Sequence, residues 1–175
     1  KPENWDAIRL GSFVHLVLEQ GVKNNLKSLK EFFELSVELN LKEDWQSVDL
    51  NDAQQLIKIF FERNKNKFDE NSKTEQPLFA KIDGIKFIGF ADRIDFHNGE
   101  IEIIDYKTGS SAVPQKNRNW QLGFYALAAG KLGKVKKITL EMLKHDKPLE
   151  FQVDEEGNAT ASFSSRMEFN IYKVK

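Results

Sequence analysis

The sequence predicts an α/β domain in which helices come first and a β-meander, a crossover helix and further strands follow, on the core order αβββαβ with a central mixed sheet. Three observations carry this prediction. Apolar residues recur at helical spacing through the first 72 residues. Asn98-Gly99 lies between two alternating runs, the strongest short-range hairpin signal, and Asp83-Gly84 marks a second turn. A helical stretch carrying the small residues Ala128 and Ala129 then precedes another alternating run, Lys136 to Leu143, and placing that run parallel to the Asp105 strand makes the crossover right-handed. All 175 residues fall in one domain, helical over 1–72 and carrying the meander, crossover helix and further strands over 73–175.

Asn4 or Asp6 caps a first helix that runs to about Gln20, with Gly21 as its stop. Trp5, Ile8, Phe13, Val14, Leu16, Val17 and Leu18 are too many for one narrow stripe, so burial on more than one side is expected. His15 shares a face with Gly11, Leu18 and Glu19. A lone histidine among apolar residues is ordinarily a hydrogen-bonded core residue, and Glu19 reads as a surface charge ahead of a support for the histidine. Helices over Ser28 to Asn40 and Asn51 to Phe68 follow, the latter capped by Asn51 or Asp52, with Lys42 to Asp49 as a polar connection.

The polar run Arg63 to Lys73 closes the helical portion and reads as a solvated helix end ahead of a set of lysines touching a phosphate backbone. Glu75 to Ile82 is the first strand, and two more lie between Ile88 and Lys107. Ser110 to Asn119 reads as a loop, whose Lys116 and Arg118 beside Trp120 suit phosphate pairing and base stacking, or equally plain solvation. The helix from Trp120 to Lys131 puts Gln121 and Tyr125 one turn apart. Leu149 to Val153 pairs back on the Lys136 strand, Asp154 to Thr160 is a polar turn, and Met167 to Val174 is a last strand. His97 and His145 sit at turns and carry no assigned role.

Composition bounds the function. A chain that is 40% hydrophobic and 30% charged can bury a sizeable core. No apolar run approaches the roughly 20 residues of a membrane span, and no secretory leader is visible, which points to a soluble, cytoplasmic protein without membrane partners. Zero cysteines exclude disulfides and thiolate metal sites. There is no Gly-x-Ser-x-Gly elbow, so serine or cysteine esterase chemistry finds no support. A net charge of −1 requires a local basic patch, or a neighbouring domain, for any polyanionic partner. The chain starts at Lys1 without an initiator methionine, as an excised piece of a longer protein would.

Within the meander, Ile88, Phe90, Asp92, Ile94 and Phe96 share one strand face, and Ile101, Ile103, Asp105 and Lys107 share one on the next strand. With Asn98-Gly99 as a two-residue turn, Phe96 pairs with Ile101 and Ile94 with Ile103. Asp92 then falls opposite Asp105, with Cβ atoms roughly 4.5–5.5 Å apart. Two carboxylates on an apolar face are costly unless a cation neutralises them or one keeps its proton. A hard divalent ion such as Mg²⁺ satisfies them, and the Lys107 ammonium beside it can hold an attacking water, an arrangement suited to metal-assisted phosphodiester hydrolysis. The plainer reading makes them strand-end charges with one neutralised by Lys107. Asp95 opposes Glu102 on the other face, which carries Arg93 and reads as solvated.

Gly89-Phe90-Ala91-Asp92, Asp105-Tyr106-Lys107-Thr108-Gly109, Gln121-x-x-x-Tyr125 and the upstream Gly11-Ser12-Phe13-Val14-His15 together resemble the signature of the PD-(D/E)XK nuclease superfamily, specifically its RecB-like branch. The likeness covers roughly Leu10 to Gly130. It implies a restriction-endonuclease-like core, and a single nuclease-like domain, in which Asp92 and Asp105 bind one or two Mg²⁺ or Mn²⁺, with His15 and the Tyr106 carbonyl as further ligands. An imidazole ligand shifts preference toward Mn²⁺. Lys107 is implied to position the hydrolytic water, and Gln121 and Tyr125 to contact substrate or orient the lysine. Glu75 is a weaker candidate, because the branch often places a glutamate on the first strand. Some members hold an iron–sulfur cluster on four cysteines, which this sequence cannot have. The implied substrate is DNA, single-stranded or as duplex ends, cleaved by an exonuclease within a repair or recombination protein that has a helicase domain or subunit. The alternative is an inactive nuclease-like module kept for DNA binding or assembly.

Overall fold

Helix α1 (Trp5–Lys23) follows Asn4 directly and runs straight through Gly21. That glycine is a packing residue and not a stop, since a Cβ there would overlap the ring of Phe32 in helix α2 (Leu29–Asn40). Gly21→Ala is therefore expected to cost about 1–3 kcal/mol, read as a lower Tm. Ser28 caps α2 through a reciprocal box with Glu31. Asp49, rather than Asn51 or Asp52, caps helix α3 (Leu50–Asn64) by accepting the Asp52 N–H. A 3₁₀ turn at Glu43–Trp45 joins α2 to α3.

The structure, a computed structural model, describes residues 4–111, 115–155, 159–161 and 168–169. Strands β1 (Lys73–Ile82), β2 (Ile85–His97) and β3 (Glu100–Lys107) form the expected meander. Asn98 and Gly99 both take positive φ, 52° and 82°, which is the two-residue turn that matches strand twist. Helix α4 (Gln115–Ala129) begins five residues before the predicted Trp120, so half of the expected loop, 115–119, is helix. Strands β4 (Lys134–Met142), β5 (Leu149–Val153), β6 (Ala159–Ala161) and β7 (Glu168–Phe169) complete a sheet whose order follows the chain. β3 and β4 run parallel, as the crossover reading required, and the other neighbours are antiparallel. Of the predicted last strand only Glu168–Phe169 lies within the described residues.

Both faces of the sheet are covered. Phe13, Val17, Phe32, Ile57 and Phe60 of α1–α3 pack on Ile104, Tyr106 and Leu143. On the other side Leu122, Tyr125, Ala128 and Ala129 of α4 pack on Ile94, Ile101, Ile103, Ile138 and Leu140. Among the described residues no helix is long and apolar enough to cross a membrane.

Two expectations about the strand faces are overturned. Arg93 and Asp95, read as solvated, are each 1% exposed beneath the N-terminal helices. They can be buried because each charge has partners. Arg93 Nε lies 3.1 Å from Asp95, its Nη2 donates to Asn64 Oδ1 at 2.9 Å, and Asn64 in turn donates to Glu141 at 3.1 Å. Arg63 completes the cluster, donating to Glu141 at 2.8 Å, so Arg63 and Asn64 face inward at the end of α3.

The second correction concerns the face shared by Ile88, Phe90, Asp92, Ile94 and Phe96. Ala91 and Ile94 both pack toward α4, which strict alternation forbids. The switch falls at Asp92, where the β1–β2 ladder skips a rung and Glu75 takes a φ of 46°. Beyond it Gly89 faces Phe124 of α4, and Ile88 and Phe90 turn to the opposite side, 61% and 53% exposed.

Candidate active site

The site is a fork in the sheet. The β2–β3 ladder ends at Arg93 opposite Ile104, in the register the turn predicts. One rung further, Asp92 and Asp105 do not pair through the backbone. Asp92 Oδ2 instead accepts the Tyr106 N–H at 2.6 Å, so a side chain takes over from the ladder. From there β2 continues with β1 and β3 with β4, and the strands part.

On the α1 side of the fork, Asp92 Oδ1 lies 3.3 Å from His15 Nδ1. Gly11, one turn before the histidine, admits this approach, since a Cβ there would come within 2.6 Å of Thr108 Oγ1. Burial works against a charged His15, but its hydrogen bond to Asp92, the charges of Asp92 and Asp105, and the Tyr106 backbone outweigh it and raise its proton affinity. Glu75 is drawn into the same field: partial burial first, then Asp92 and Glu19, push its carboxyl above the usual range. Glu19, read from sequence as a surface charge, thus belongs to the surroundings of the site. Its place four residues after His15 was the available signal.

On the α4 side, Asp105 is 5% exposed. Its Oδ1 accepts from Gln121 Nε2 at 2.9 Å and from the Tyr125 hydroxyl at 2.7 Å, and the amide also reaches that hydroxyl at 3.0 Å. The hydrogen bonds of this predicted pair therefore converge on the aspartate. Lys107 Nζ stands 2.7 Å from the buried Asp105 Oδ2 as an ion pair. Burial, then the charge of Asp92, raise the proton affinity of Asp105, and Lys107 opposes them. Arg118 turns its guanidinium over the ring of Phe151, and the Lys116 side chain lies outside those described.

Two hollows meet these groups. One, of about 790 Å³, is lined by Gly11, His15, Glu19, Thr108 and Lys144, and the other, of about 450 Å³, by Phe90, Lys107, Trp120, Gln121 and Phe124. Among the described residues no three acidic or histidine side chains gather tightly enough to hold a metal by themselves. What does converge is the Asp92 carboxylate, the His15 imidazole and the Tyr106 backbone, with the Oδ2 of Asp105, ion-paired to Lys107, nearby. Oxygen donors with one imidazole suit Mg²⁺ or Mn²⁺, and a cation would offset the burial and the Asp92 charge that raise Asp105.

The family model described as the PD-(D/E)XK nuclease superfamily matches residues 1–168. The Gene 69 protein of Mycobacterium phage L5 is 44% identical over 54 residues, which are 31% of this chain and 17% of that protein. The matched stretch is thus a small part of the relative.

Proposed function

The chain belongs to the PD-(D/E)XK nuclease superfamily, and on that premise we propose that it is a metal-dependent deoxyribonuclease hydrolysing DNA phosphodiester bonds at the β2–β3 fork. The observation that carries the reading is the Lys107 ammonium 2.7 Å from Asp105 Oδ2, where the strands part. The histidine on α1 and the Gln121–Tyr125 pair support the RecB-like branch and an exonuclease working within a larger repair or recombination protein, beside a helicase. The whole chain is read as its nuclease domain.

Asp92, Asp105, His15 and the Tyr106 carbonyl would hold Mg²⁺ or Mn²⁺. When bound, the ion supplies Lewis-acid charge against the negative charge that builds on the phosphate. Lys107, partly exposed, holds the attacking water by donating to it, and its charge stabilises the developing oxyanion. Gln121 and Tyr125 fix the rotamer of Asp105 from behind, and Tyr125 at 3% exposure does so out of reach of solvent. Asp92 holds the seam together through Tyr106 while presenting its second oxygen to His15.

Mn²⁺ at a hundredfold excess over its Kd is expected to raise Tm by about 5–10 °C, and His15→Ala to weaken that response. End-labelled single-stranded and duplex DNA should be degraded with Mg²⁺ or Mn²⁺ and left intact with chelator. A protein that binds DNA but neither shifts with metal nor cleaves would be the inactive module instead.

A further inference from the structure

Past the fork, β1 and β2 continue as a two-stranded hairpin to the Asp83-Gly84 turn, and its face turned away from α4 presents three rungs in order from the site. These are Pro77 with Phe90, Phe79 with Ile88, and Lys81 with Lys86. Phe79, Ile88 and Phe90 are 57%, 61% and 53% exposed. Singly exposed apolar residues need no explanation, but four in register leading out of a candidate catalytic fork do. The innermost rung adjoins the Glu75–Asp92 position, so this surface is continuous with the site.

We propose that this hairpin face is the track for a single DNA strand passing through the fork, with bases stacked on Phe90 and Phe79 and phosphates met by Lys81 and Lys86. The inference rests on the nuclease reading above and adds a binding surface to it. Same-face residues along a strand are about 6.8 Å apart, a spacing that an extended single strand can follow base by base. Stacking on a flat apolar strip requires unpaired bases, which a duplex keeps inside. Two lysines directly across a ladder repel each other, and among the described residues neither has a carboxylate partner. A polyanion lying over them removes that repulsion, whereas an apolar protein surface would bury it.

The test is fluorescence anisotropy with a labelled oligothymidylate of about fifteen nucleotides, using Ca²⁺ in place of Mg²⁺. Phe79→Leu, which keeps apolar bulk but loses the ring, is expected to weaken binding at least roughly fivefold. Phe79→Trp should restore affinity and add an indole emission that the oligonucleotide quenches. Lys86→Gln should flatten the salt dependence of log K by about 0.7. Unchanged affinity in Phe79→Leu overturns the proposal, as does a dimer that this substitution dissociates with no effect on DNA. Cleavage is assayed separately on the parent protein: a protein that cleaves yet binds equally well as Phe79→Leu retires only the track. One that never cleaves but loses affinity as Phe79→Leu retires only the nuclease reading.

Discussion

Lys107→Ala is expected to slow DNA cleavage by about 10³-fold while keeping the Mn²⁺-induced rise in Tm, and Asp105→Ala to lose both. The two split because Lys107 competes for the carboxylate oxygen that a cation would use. Removing the ammonium takes away a charge opposing the upward pull of burial and Asp92 on Asp105, so the apo carboxyl gains proton affinity. Single-turnover cleavage alongside a thermal melt with and without Mn²⁺ separates the outcomes. Undiminished cleavage in both variants would place the chemistry elsewhere.

Arg93→Met is expected to cost about 3–5 kcal/mol, because it strands Asp95 in the interior and removes a partner of Asn64. For a chain of this length that is a drop in Tm of roughly 10 °C. The loss should depend on pH. Burial already lifts Asp95 above its ordinary 3.8, and Arg93 opposes that lift. Without the guanidinium the native carboxyl keeps its proton to higher pH than the unfolded one does. Stability of the variant then falls as pH rises from about 3.8 through the raised value, so its deficit against the parent is smallest at the acid end. Denaturant melts across that range check it, and a deficit constant with pH would mean that Asp95 is not what Arg93 neutralises. Adding Asp95→Leu to Arg93→Met should recover much of the stability, since no charge is left to strand.

The register around Asp92 and Asp105 was readable because Asn98-Gly99 admits one turn type, and a turn fixes every rung behind it. That His15, Gln121 and Tyr125 come up against the two aspartates followed from helical spacing joined to a family signature. The face switch at Asp92 was not, since it depends on a left-handed Glu75 on another strand, and a period-two argument assumes that no such step occurs. Arg93 and Asp95 were misread because a charged pair looks the same in sequence whether water or a second charge solvates it. Gly21 was misread because a glycine required by a neighbouring ring carries the letter of a helix stop.

Where β2 leaves β3, the stretch 85–91 keeps one main-chain edge that no strand among the described residues completes. Bare edges of that kind recruit strands from other molecules and seed aggregates. The crossover helix lies over this one, with the Tyr125 hydroxyl 3.3 Å from the Phe90 carbonyl and Phe124 seated on Gly89. Helix α4 therefore serves colloidal safety as well as holding Asp105 in place, and any loosening of it would threaten solubility.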